Sequence, residues 1–144
     1  MSSADTPSIR VLALGFVIHG DRTLVAEVQD IVKNERCYRS LGGGVEFGET
    51  SLEALHREFA EEIRAELTDV HYLGCVENLF HYNGKPYHEV IQVYRCCLAD
   101  PTLYELPLIA GVDSTGPFVA HWIECDRFRT QELRLVPEAC LQWL

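Results

Sequence analysis

Apolar residues run almost without interruption from Ile9 to Ile18, which predicts a strand buried on both faces. Gly20-Asp21-Arg22 then predicts a turn, and Thr23 to Val28 a second strand that pairs with the first as a hairpin. Asp30 to Arg36 is polar and reads as a loop. Cys37-Tyr38-Arg39 reads as a short strand that delivers the chain to a glycine-rich loop at Gly42, Gly43 and Gly44. Beyond it the period changes. Leu52, Leu55, Phe59, Ile63 and Leu67 fall on one face at about 100° per residue, as expected of a helix lying on a core. Thr50, with Glu53 three residues on, marks its start as a capping box.

After the helix, Val70 to Phe80 and Glu89 to Leu98 are rich in β-branched and aromatic residues and predict two strands. Asn83-Gly84 between them is a hairpin signal, and the flanking His81-Tyr82 and Lys85-Pro86 point to a loop longer than two residues. Pro101 to Pro117, which contains Gly111 and Gly116, reads as an irregular surface loop able to close over a ligand. Phe118 to Cys125 predicts another strand, Thr130 to Leu133 a turn, and Pro137 to Leu144 a short terminal helix with Pro137 in its first turn. Strands on both sides of one strong helix give an α/β (α+β) class. The expected organisation is a flexible tail over 1–8 and a single domain over 9–144, without repeats or linkers.

The totals narrow the function classes. A chain of 144 residues, 47% hydrophobic and 24% charged, is the size of one domain with a self-sufficient core. A formal net charge of −10 argues against a nucleic-acid surface, which needs clustered Lys and Arg. No apolar run approaches a membrane span, so no membrane partner is expected. Six cysteines without a CxxC or a leader segment fit reduced thiols in core or subsurface positions, and hence a cytoplasmic setting.

Chemistry concentrates between Gly42 and Leu67. Glycines let backbone N–H groups approach phosphate oxygens, and the helix behind them carries Glu58, Glu61 and Glu62. Glu58 and Glu62, four apart, stack on one flank, where like charges cost an isolated helix about 0.2–0.5 kcal/mol per pair. A divalent cation is the simple reason to keep them together. Carboxylates on the outer face of a helix are commonly no more than solvated charge, so the spacing of the whole stretch has to decide.

That spacing resembles the Nudix box, G-x5-E-x7-R-E-U-x-E-E-x-G-U with U a bulky apolar residue. Gly43, Glu49, Arg57, Glu58, Phe59, Glu61 and Glu62 all match in register over 43–65. Two positions depart: Arg64 stands where the pattern has its last glycine, and Ala65 fills the final apolar place with a small side chain. Without that glycine, IRAEL is expected to continue helical for a few residues. The resemblance implies an α/β/α sandwich around a mixed β-sheet, and it implies hydrolysis of a nucleoside diphosphate linked to a further moiety, with magnesium as cofactor and manganese as a substitute. It also implies a small-molecule nucleotide as partner. A homodimer stays open.

Magnesium takes oxygen ligands in near-octahedral geometry, and carboxylates with substrate phosphate suit it. Glu58 and Glu62 are the expected ligands, Glu61 a third ligand or the base that activates water, and the Gly43 carbonyl a backbone ligand. Arg57 is expected to fix a carboxylate by a charge-assisted bond, with Glu61 or Glu49 as partner. Gly44 shapes the loop, Phe47 and Tyr82 are candidates to meet the base, and Glu105 is a candidate distant ligand or base. His81 and His88 flank the hairpin turn. The substrate stays open among a nucleoside triphosphate, a dinucleoside polyphosphate and a nucleotide sugar. The alternative function is a Nudix-fold sensor that binds a nucleotide without cutting it.

Overall fold

A computed structural model of the chain describes residues 6–144. The tail expected over 1–8 therefore lies mostly outside the described residues, and Thr6, Pro7 and Ser8 are exposed ahead of the first strand. The elements in order are β1 (Ile9–His19), β2 (Arg22–Asp30), β3 (Glu35–Gly44), α1 (Ser51–Ile63), β4 (Leu67–Tyr82), β5 (Lys85–Leu98), a 3-10 turn (Pro101–Glu105), β6 (Leu108–Asp113), β7 (Gly116–Glu124), α2 (Cys125–Arg129) and a 3-10 segment (Glu138–Trp143).

The strands form one sheet in the order β4-β5-β1-β3-β2-β7-β6. Only β1 and β5 pair in parallel; β1–β2, β1–β3, β2–β3, β2–β7, β4–β5 and β6–β7 are antiparallel. Apolar burial on both faces follows from the continuous run in β1. Ala13 and Val17 join Leu55, Phe59 and Ile63 of α1 in one core, whereas Leu12, Leu14 and Phe16 join Phe128 of α2, Leu135 and Cys140 in the other. Helical layers thus cover both sides of a mixed sheet, the α+β sandwich expected. Burying a side chain such as Phe59 completely contributes about 1.5–3 kcal/mol.

β3 serves two partners. Its first part, from Glu35 to Ser40, pairs with β2, and its last part, from Leu41 to Gly44, pairs with β1. The three glycines are therefore strand and not loop, and the loop proper begins at Val45. Gly42 has φ +143°, and a Cβ there would collide with the Ala13 carbonyl oxygen, so only glycine lets β3 lie this close to β1.

Several other expectations change. The helix stops at Ile63 instead of running on: Arg64 itself takes the left-handed conformation (φ 54°, ψ 38°), donating its N–H to Ala60 O, and Ala65 N–H closes on Phe59 O at 3.2 Å. Leu52 is exposed on the helix and Leu67 opens β4, so the buried face is Ala54, Leu55, Phe59 and Ile63. The β4–β5 turn is the two residues Asn83 and Gly84 alone, both with positive φ, because Tyr82 pairs with Lys85. The supposed loop from Pro101 to Pro117 contains the 3-10 turn and β6, an edge strand paired with β7 along its length. Its short alternating pattern was hidden by Gly111, whose missing Cβ makes room for Phe118 and for the Glu62 carbonyl. α2 begins where the β7 prediction ended, and the C-terminal segment is 3-10, not α. Of the cysteines, all free, Cys96, Cys125 and Cys140 are buried, but Cys75 is exposed.

Candidate active site

The capping box forms as the sequence indicates: Thr50 Oγ1 accepts from Glu53 N at 3.1 Å, and Thr50 N donates to Glu53 Oε1 at 3.0 Å. This fixes the entry into α1 and with it the phase of every carboxylate that follows. Glu58 then stands over Gly43 of β3. A Cβ on Gly43 would sit 2.5 Å from Glu58 Cδ and 2.6–2.7 Å from its oxygens, so the strand backbone and the carboxylate meet only because the residue is glycine.

Arg57 organises the acids. Its Nε donates to Glu49 Oε2 at 2.9 Å and its Nη2 to Glu49 Oε1 at 2.6 Å, a fork on a single carboxylate. Nη2 also donates to Gly44 O at 2.9 Å, and Nη1 to Glu58 Oε1 at 3.0 Å and Glu61 Oε2 at 3.2 Å. Both partners left open by the sequence are therefore used, with Glu49 held by two bonds. The guanidinium holds Glu49 down to a pKa of about 2, helped by a bond from Glu46 N to Glu49 Oε1. The hydrogen bond to Glu49 raises Arg57 further above its ordinary range.

Glu62 is driven the other way. Burial raises its pKa far above the usual carboxylate range, and the neighbouring Glu58 carboxyl, by hydrogen bond and by charge, adds to the rise. Asp113, at the end of β6, contributes further repulsion, and the Arg39 charge offsets part of it. Glu62 thus favours its protonated form beside Glu58 in the absence of another positive charge. Glu61 differs from both, being 61% exposed with one oxygen on Arg57. Among the described residues no three acidic, histidine or cysteine side chains converge as a ligand set, so the pair needs backbone and substrate oxygens to complete a cation's shell. Hard oxygen donors, Glu58 over Gly43 with Glu62 as its neighbour, suit a small divalent ion.

The remaining sequence candidates fall elsewhere. Phe47 is fully exposed in the turn closed by Glu49 N to Glu46 O at 3.0 Å. Tyr82 donates its hydroxyl to Gln29 O at 3.1 Å, joining the β4–β5 tip to the β2–β3 tip, where Asn83 Oδ1 accepts from Ile31 N and Asp30 Oδ2 from Asn83 N. Glu105 is exposed at the end of the 3-10 turn, and among the described residues no hydrogen bond or ion pair ties it to the acids of α1. The acid that this region brings to Glu62 is Asp113, missed because β6 was read as loop. A cavity of about 410 Å³ lies away from the carboxylates, lined by Pro7, Ile9, Leu79, His81, Pro86 and His88 among others. The chemistry belongs with the carboxylates, because that cavity offers no comparable set of charged groups.

Fold and site together define a mixed α+β enzyme scaffold whose acidic helix follows a glycine-bearing strand. The family model described as NUDIX domain matches residues 10–143, and the chain belongs to that family, as a hydrolase of acid anhydrides in phosphorus-containing compounds. Solved structures share the fold. A MutT NUDIX hydrolase from Burkholderia pseudomallei is similar at a TM-score of 0.63 and 21% identity, covering 83% of this chain and 85% of its own. A NUDIX hydrolase from Nitrosomonas europaea gives 0.62 at 19% identity over 94% and 85%. A structure described as an ADP compounds hydrolase gives 0.66 at 14% identity over 95% and 71%.

Proposed function

We propose that this chain is a magnesium-dependent pyrophosphohydrolase that cleaves a phosphoanhydride bond in a nucleoside diphosphate derivative, with a nucleoside triphosphate, a dinucleoside polyphosphate and a nucleotide sugar as the candidate substrates. The observation that carries this reading is a juxtaposition of carboxylates: Glu58 stands against Gly43, and its charge, with burial, raises the neighbouring Glu62 far enough above the usual range to favour its protonated form. Such a pair is poised to exchange that proton for a divalent cation. A similar structure being an ADP compounds hydrolase is consistent with a nucleotide substrate.

Glu58, Glu62 and the Gly43 carbonyl would hold the ion, with Glu61 kept beside them by its bond to Arg57. When bound, a divalent ion supplies positive charge against the phosphates and acidifies water. The chain's own residues do the rest. Arg57 clamps Glu49, Glu58 and Glu61 in register and joins α1 to the Gly44 carbonyl, so the acids do not reorganise as substrate arrives. Glu61, the most exposed of the three helix acids, would accept a proton from the attacking water, a role that its exposure supports.

The test is a panel of nucleoside diphosphate derivatives incubated with magnesium and read by product identification. Cleavage within the phosphate chain, abolished by a chelator while the folded signal persists, is the expected result. Binding of every compound with hydrolysis of none replaces the enzyme by a nucleotide sensor.

A further inference from the structure

β3 and β5 are not neighbours in the sheet, since β1 lies between them. Arg39 of β3 nevertheless reaches Glu89 of β5, donating from Nη2 to Oε1 at 3.1 Å. Glu89 is only 3% exposed, and the buried Nε of Arg39 has no partner among the described residues. An ion pair with one bond and an orphaned donor is a poor way to join two strands. Apolar residues of similar volume usually hold such a place as well or better, because neither charge then has to leave water. Stability does not account for the pair.

Its position does. Side chains alternate along a strand, so Arg39 shares a face of β3 with Leu41 and Gly43. Leu41, and Ala26 opposite Arg39 in the register, both pack into the core on the α1 side. Gly43 on that face lies beneath Glu58. Glu89 alternates in phase with Ile91 and Val93 and so belongs to the other face of β5, which makes the Arg39 guanidinium a bridge between the two faces, with its charge still felt at Glu62. Arg57 is committed to Glu49, Glu58, Glu61 and the Gly44 carbonyl, whereas among the described residues Arg39 has a single side-chain partner and a side chain 29% exposed. A guanidinium pinned at one corner still presents donors in a fixed plane.

We propose that Arg39 contacts the substrate, donating to an acceptor oxygen of the bound nucleotide, and that Glu89 is the positioning residue that holds the guanidinium in place. This rests on the pyrophosphohydrolase reading. The acceptor is either a phosphate oxygen or a carbonyl of the base, and the two sources separate by experiment.

Kinetics with magnesium are measured on adenine, guanine and uracil nucleoside diphosphate derivatives and on inorganic tripolyphosphate, for the parent, Arg39→Lys, Glu89→Gln and the double variant Arg39→Met/Glu89→Leu. Thermal unfolding is recorded alongside. The double variant should unfold at or above the parental temperature, yet KM should rise about tenfold to a hundredfold with a smaller change in kcat, the loss expected for a charged hydrogen bond. A rise shared by every compound, tripolyphosphate included, identifies the phosphate; a rise confined to one base identifies the carbonyl. Glu89→Gln should raise KM for the same compounds and add little on top of the Arg39 change, as coupled residues do. A folded double variant with parental kcat and KM across the panel overturns the assignment. Should the double variant not fold, Arg39→Lys decides: a KM about fivefold or more above the parent's supports the contact, and a parental KM overturns it. If the parent itself cuts nothing, the pyrophosphohydrolase reading falls first and takes this inference with it.

Discussion

Arg57 grips Glu49 with two parallel hydrogen bonds, 2.9 Å from Nε and 2.6 Å from Nη2, across eight residues that include the whole entry into α1. Glu49 titrates near 2 in the folded protein against about 4.5 in an unfolded chain. A carboxylate with a depressed pKa stabilises the fold above its unfolded value and loses that contribution as pH falls toward its folded value. The protein should therefore lose stability between about pH 4.5 and 2 in part through this group. Thermal unfolding followed by circular dichroism should show a flatter pH dependence in that window for Glu49→Gln; equal slopes would mean that the fork contributes nothing.

Glu62 has the opposite sign. Its folded pKa is raised, so folded and unfolded chains are equally protonated below about 4.5, and the penalty grows as pH climbs toward the folded value. Without divalent ions, Glu62→Gln should match the parent at pH 4 and exceed it in stability at pH 8. Added magnesium should narrow that gap by stabilising the parent alone. Parental stability falling below the variant's at pH 4 would contradict the assigned cause.

Arg64 occupies a left-handed position that costs a non-glycine residue about 1 kcal/mol. Arg64→Gly should leave stability unchanged or raise it by up to about 0.5 kcal/mol after the added freedom of the unfolded chain is subtracted, with activity unchanged. Chemical denaturation measures this, and a destabilised variant would show that the arginine side chain contributes at the helix end.

Much of this was legible in the sequence. The Thr50–Glu53 box and the β1–β2 hairpin come from local spacing, and local spacing is where residue chemistry speaks directly. What failed depended on partners distant in sequence. Gly42-Gly43-Gly44 looks like a loop until β1 lies beside it, and β6 looks irregular until β7 pairs with it. Pattern alone places a glycine at the end of the helix, yet Arg64 supplies the same turn, because the packing of Ala65 and Ile63 favours stopping there despite the backbone cost. Arg39 and Glu89 carry no spacing signal, being 50 residues apart.

Adjacent glycines should fail in different ways. Gly43→Ala pushes a methyl into the Glu58 carboxylate, the end of a flexible side chain, so activity should fall by about tenfold or more while the protein stays folded. Gly42→Ala meets backbone at a φ that disfavours side chains, so it should be destabilised by about 2 kcal/mol or more. Unfolding curves and turnover measured on both variants check the contrast, and an active Gly43→Ala protein would remove Glu58 from the site.

The account turns on Glu58 and Glu62 being a cation site that serves hydrolysis. Glu62→Gln changes neither size nor helix propensity appreciably, yet leaves the pair one carboxyl that can ionise to meet a cation. Magnesium affinity by calorimetry and nucleotide turnover, measured on the same preparation as the parent, test that claim together. Loss of the magnesium heat with turnover reduced by about 10² or more, in a protein at least as stable as the parent, is the predicted result. A Glu62→Gln protein that binds magnesium and hydrolyses its substrate at the parental rate would contradict it.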